Sequence, residues 1–177
     1  MKTKEIFFIL ILSLAACNNE IPSFKQHILF EEHYTNWAWS YQNNGYLIDS
    51  LGYVRPFDLS KTSIEWNYPD SLGYISEKKM EQNFSHCVAS VYQLNADSLS
   101  FYVSKIWGAS KGKISQSDLQ MADFGEIRYS AYIYDEKNKC YKEVLIKLYG
   151  DITRDNSSPE AGEIYDWMNR ISSTAKK

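Results

Sequence analysis

The sequence predicts an α+β domain in which an antiparallel sheet built of hairpins packs against two or three helices, the last of them C-terminal. Three observations carry this expectation. Residues 45–57 and 127–149 each hold two β-prone runs around a polar turn. Helical periodicity is confined to stretches beginning near Glu77, Ser98 and Ser158. Strands and helices therefore come in blocks rather than in the strict alternation of a parallel sheet.

In Gly45–Phe57 the two runs flank Asp49-Ser50-Leu51-Gly52, with Asp at the start and Gly at the end of a four-residue turn. The pentapeptide Asp-Ser-Leu-Gly-Tyr recurs at 70–74 with unrelated flanks, which reads as a reused turn rather than a structural repeat. From Glu77, residues Met80, Phe84, Cys87, Val88 and Val91 line one helical face, and Ser76 suits the N-cap. A shorter helix is expected at Ser98–Trp107, capped by Asp97, with Leu99, Tyr102, Val103 and Ile106 inward. Residues 108–117, rich in Gly, Ser and Lys, then read as a loop.

Two strands follow. Ile127, Tyr129, Ala131 and Ile133 share one face of the first, and Val144, Ile146 and Leu148 one face of the second, with a polar loop at 135–139 between them. Ser158-Pro159-Glu160 is a helix start with a cap, Pro at the first position and an acid in the first turn. Ala161, Ile164, Tyr165, Met168 and Ile171 form its inner face, and 173–177 are expected to fray.

Composition bounds the possibilities. The 177 residues carry 19 basic and 22 acidic side chains, a formal charge of −3, which argues against a nucleic-acid binder. An apolar content of 44% excludes a wholly disordered chain. Nothing after the first two dozen residues resembles an interdomain linker, so one domain is expected over 25–172.

The N-terminus sets the expected compartment. Lys2 and Lys4 precede the nine-residue apolar run Ile6–Leu14, too short to cross a bilayer, for which a helix needs about 20 residues. Leu14-Ala15-Ala16-Cys17 follows. Over these seventeen residues the chain resembles a bacterial lipoprotein precursor with its lipobox; the rest is similar to small bacterial lipoproteins in general layout only. The resemblance implies cleavage of residues 1–16, diacylglyceryl transfer to the Cys17 sulfur and a lipidated tether over 17–24. Two or more acyl chains anchor a protein stably where one does not. Asn18, in place of an Asp, leans toward the outer membrane. The expected location is thus the cell envelope, facing periplasm or exterior.

Chemistry-bearing patterns are sparse. Asp123-Phe124-Gly125 matches the metal-binding triplet of protein kinases, yet the phosphate loop, strand lysine and catalytic loop are missing, so chance explains it. Glu31-Glu32-His33 is the tightest acid–His cluster: in a strand Glu31 and His33 share a face and suit a metal or an acid–base pair, but such a run more often forms a solvated edge. Adjacent His86 and Cys87 point apart on a helix. Asp151, Asp155, Asn156 and Glu160 lack calcium-loop spacing. Cys87 and Cys140 are candidates for a disulfide outside the cytoplasm; the alternative is that Cys87 is a small apolar residue on a helix.

The aromatic stretch is the strongest lead. Trp37, Trp39 and Tyr41 would share one face of an extended chain, with Ala38, Ser40 and Gln42 on the other. Exposed, the rings would form a platform for a sugar or a protein partner; the small, polar alternate face makes the ring side the expected core face, with Trp39 buried. The sequence thus points to a membrane-anchored, non-catalytic binding domain with a protein or glycan partner, no cofactor and no metal. The alternatives are a small envelope hydrolase using carboxylates such as Glu31 or Asp49, or a protective protein that binds a toxin or hydrolase.

Overall fold

The computed structural model describes residues 24–175 apart from Val91 and Met121. Cys17, the lipobox and most of the tether lie outside the described residues. Eight strands form one antiparallel sheet: β1 (Ile28–Asn36), β2 (Gln42–Asp49), β3 (Val54–Asp58), β4 (Tyr74–Ser76), β5 (Asp118–Leu119), β6 (Glu126–Asp135), β7 (Cys140–Gly150) and β8 (Ile152–Asp155). The order is β3-β2-β1-β6-β7-β8-β5, with β4 sharing the outer edge of β7 beside β8. Three helices complete the α+β architecture: α1 (Glu77–Ser85), α2 (Ala96–Ala109) and α3 (Pro159–Ala175).

Helices α2 and α3 cover one face, where Phe30, Tyr46, Ile48, Leu99, Ile106, Ile164, Trp167 and Met168 pack. Helix α1 and the segment from Leu59 to Ile75 cover the other, enclosing Leu47, Phe57, Trp66, Met80, Tyr132 and Tyr141. Strand β1 lies between, so its first six residues are all buried. Both ends of the sheet are blunted: β3 carries Pro56 and β5 has two residues.

The repeated pentapeptide makes the same turn twice. Asp49 Oδ1 accepts from the N–H groups of Leu51 and Tyr53, and Asp70 Oδ1 from those of Leu72 and Tyr74. Gly52 and Gly73 each bond back to the Asp carbonyl at 2.9 Å, and both adopt φ +82°. A type I turn closed by a left-handed residue has this pattern, and Gly takes that conformation without steric cost.

The caps follow local chemistry. Ser76 Oγ accepts from Lys79 N–H, and Ser158 Oγ from the N–H groups of Glu160 and Ala161, each as expected. Helix α2 starts earlier than its periodicity suggests, because Asn95 rather than Asp97 caps it. Helix α1 stops at Ser85, and Val88, expected on its inner face, is exposed; its N–H is taken by Pro56 O of edge strand β3, which pulls the chain away. Residues 173–175, expected to fray, continue α3.

One expectation is overturned, and of the two readings of Cys87 and Cys140 the disulfide is not formed. Trp37, Trp39 and Tyr41 are not in a strand: they occupy the connection between β1 and β2, with Trp37 77% and Trp39 84% exposed. Asn36 ends β1 by accepting Ala38 N–H on its side chain, which turns the chain out of the sheet. Cys87 and Cys140 are free thiols. Cys140 pairs with Ser76 at the start of α1, and Cys87 lies just past the other end of that nine-residue helix. At about 1.5 Å per residue they stand well beyond disulfide reach. Burial pushes the Cys87 thiol up to about 12, so it is inert rather than reactive.

Candidate functional site

Glu31 and Glu32, consecutive in β1, send carboxylates to opposite faces of the sheet, and both are buried. The expectation of a solvated edge fails because β1 is a central strand, and each acid is satisfied by partners remote in sequence. Glu31 Oε1 accepts from Trp66 Nε1 at 2.9 Å, and its Oε2 from the Tyr132 hydroxyl at 2.5 Å. His33 shares this face: its Nδ1 lies 3.3 Å from Glu31 Oε1 and its Nε2 2.7 Å from Asn43 Oδ1. Asn43 Nδ2 in turn donates to the Tyr41 hydroxyl at 2.6 Å. The His33 ring stacks parallel to Tyr68 and meets Phe57 and Trp66 edge-on. A continuous polar chain thus runs from the buried Glu31 to the root of the exposed loop, where half-buried Tyr41 is in ring contact with Trp37 at 4.3 Å.

Glu32 serves the helical face. The Ser172 hydroxyl of α3 donates to it, and the Tyr46 hydroxyl donates to Met168 O at 2.9 Å. Burial first, and then the charge of Glu32, push the Tyr46 phenol well above its usual range. Asp49 is also consumed structurally, by its turn and by Arg55 Nε at 2.8 Å. Neither Glu31 nor Asp49 therefore presents a carboxylate to a substrate. Among the described residues no group of three or more His, Cys, Asp or Glu side chains is placed to hold a metal ion.

The exposed aromatic loop has neighbours at its end of the sheet. Asn36 Nδ2 donates to Asp123 O, the Tyr34 hydroxyl to Phe124 O, and Phe124 N–H to Asp151 Oδ1 at 2.7 Å. These bonds set the 123–125 loop beside residues 36–38 and enclose a cleft of about 490 Å³ edged by Trp37, Asp123, Glu126 and Asp151. The kinase-like triplet is thus a turn, with left-handed Asp123 and Gly125. Phe124 and Tyr149 add a partly exposed ring pair at 5.9 Å. Rings, amides and carboxylates together are the chemistry of a binding surface. The ring pair and the carboxylates of this end come from segments far from Trp37 in sequence, so of this surface the sequence singles out only Trp37, Trp39 and Tyr41, and there as a strand rather than a loop.

Orientation matters as much as composition. The described chain enters at Phe24, beside the start of β1, and the aromatic loop follows its end. Nine residues of strand separate the two by roughly 30 Å. No helix among the described residues is long and apolar enough to cross a membrane. In comparisons with known proteins, no family model, no curated protein and no solved structure matches this chain.

Proposed function

We propose that the protein is a lipid-anchored, non-catalytic binding domain of the bacterial cell envelope, held through Cys17, that engages a glycan or protein surface with Trp37, Trp39 and Tyr41. The observation that carries this reading is the exposure of two indoles, 77% and 84%, on a loop rooted by Asn36, Asn43 and Tyr41. Indoles this exposed bury little surface in the fold, and aromatic anchors of this kind dominate binding energy at interfaces. A tether at the opposite end of β1 would turn the loop away from the anchoring membrane, toward whatever lies beyond it.

The test is a double variant, Trp37→Ala with Trp39→Ala, in the acylated full chain. Its stability should match wild type within about 0.5 kcal/mol, as for exposed sites. Indole fluorescence of the wild type should change saturably on titration with cell-wall oligosaccharides or with a co-purifying envelope protein, and the double variant should not bind. Loss of stability by about 3 kcal/mol or more would mark the rings as core residues. Unchanged binding in a folded double variant would remove the loop from the interface. Mass spectrometry of the membrane fraction should show a chain starting at Cys17 with added acyl mass, abolished in Cys17→Ser.

A further inference from the structure

We propose that a second site, on the face of the sheet covered by α1, binds a small molecule through an oxyanion, carboxylate or phosphate, held by Arg154. Strands β4 and β8 both pair with β7 but leave a gap between them, and the turn 68–73 roofs it. The result is a cleft of about 480 Å³, the size of sites that hold small organic ligands.

The charges around this cleft are unequal in their partners. Glu143 is engaged by Arg128 Nη1 at 3.0 Å and by the Ser130 hydroxyl at 2.6 Å. Asp70 spends Oδ1 on its own turn. Away from the cleft, Arg55 is held by Asp49, and Arg170 donates to the Tyr102 hydroxyl. The Arg154 side chain alone among the four arginines has no hydrogen bond or ion pair among the described residues, and its Nε is buried without a partner.

A buried donor left unsatisfied is costly, and native structures contain few of them. The buried Nε itself is shielded from the cleft, but the two terminal nitrogens of the same guanidinium are also without partners and are not buried, and their planar pair matches carboxylate and phosphate oxygens, so an oxyanion in the cleft meets them. Leu145, Ile114 and Leu72 line the same cleft and suit a small apolar body attached to that anion. Tyr68 forms one wall, with its ring against His33. This site is separate from the aromatic loop and does not depend on the reading given for it.

The test is nuclear magnetic resonance of the detergent-solubilised, ¹⁵N-labelled full chain, following the Arg154 Nε–H signal and the amides of Gly73 and Leu145. Sodium acetate and inorganic phosphate are titrated separately against sodium chloride at matched ionic strength. A saturable shift with either anion beyond the chloride control is expected; acetate alone marks a carboxylate ligand, phosphate alone a phosphate ester. Arg154→Gln should weaken that binding about tenfold or more, the loss of a charge-assisted contact, while Arg154→Lys retains part of it. No shift beyond chloride with either anion overturns the proposal, and so does equal affinity in a folded Arg154→Gln. Should Arg154→Gln not fold, the wild-type titration decides by itself.

Discussion

Replacing Tyr132 by Phe isolates the worth of a buried carboxylate network. Tyr132 is 2% exposed, and its hydroxyl donates to Glu31 Oε2 at 2.5 Å. The substitution removes one oxygen, opens no cavity larger than a hydroxyl, and leaves Glu31 with Trp66 and His33. A hydrogen bond to a charged group contributes about 1.5–3 kcal/mol, so a loss near 2 kcal/mol is expected. For a domain of this size that lowers the melting temperature by about 4–8 °C. Tyr134→Phe is the matched control, because it breaks a similar bond, to Glu77 at 2.7 Å, at a half-buried site open to water at its rim. It should melt with the wild type, since water replaces the lost partner. Urea and thermal denaturation of the three proteins make the comparison. If Tyr132→Phe also melts with the wild type, burial does not set the strength of the Glu31 network and the argument fails.

Two further outcomes follow from the fold. Gly73→Ala and Gly52→Ala should each cost about 1–2 kcal/mol by chemical denaturation, the penalty of a left-handed residue with a Cβ; the added atom meets nothing nearer than 3.8 Å at Gly73 and 3.4 Å at Gly52, so a larger loss would point to crowding instead. At high pH the protein should unfold cooperatively, because burial raises the phenols of Tyr46, Tyr129, Tyr132 and Tyr141. Below about pH 10 both states keep these protons; above it only the unfolded chain releases them, so stability falls as pH rises. Phenolate absorbance should therefore rise together with loss of circular dichroism, and an ordinary titration of all 14 tyrosines with the fold intact would contradict this.

What the sequence revealed depended on whether the deciding interaction was local. The turn at Asp49–Gly52, the cap at Ser158 and the alternation in β6 are set by residues within a few positions of one another, and all three were readable. Strand β1 was hidden because both of its faces are covered, which erases the alternation that marks a half-buried strand. Glu31 resembled a solvated acid because its partners, Trp66 and Tyr132, stand 35 and 101 positions away. The aromatic stretch was misread for the opposite reason. Its alternation imitates a strand, and the one local warning was Asn36, a residue that accepts backbone N–H groups two positions on and bends the chain. Helix α1 outran its true end in the pattern because the competitor for Val88 N–H belongs to another strand.

The pairing of β1 with β6 also sets an order of events during synthesis. Phe30 lies opposite Ala131, so the first strand of the sheet must wait for about a hundred further residues before its second edge is filled. At 5–20 residues per second that interval is about 5–20 s. Meanwhile β1, β2 and β3 can already form a three-stranded meander through their short turns. One edge of that meander is guarded by Pro56, while the other, β1, is nine residues long and open. A nascent chain in this state offers a template for pairing with its neighbours, so a chaperone that holds the first hundred residues apart should raise the yield of folded protein more than one acting on the completed chain.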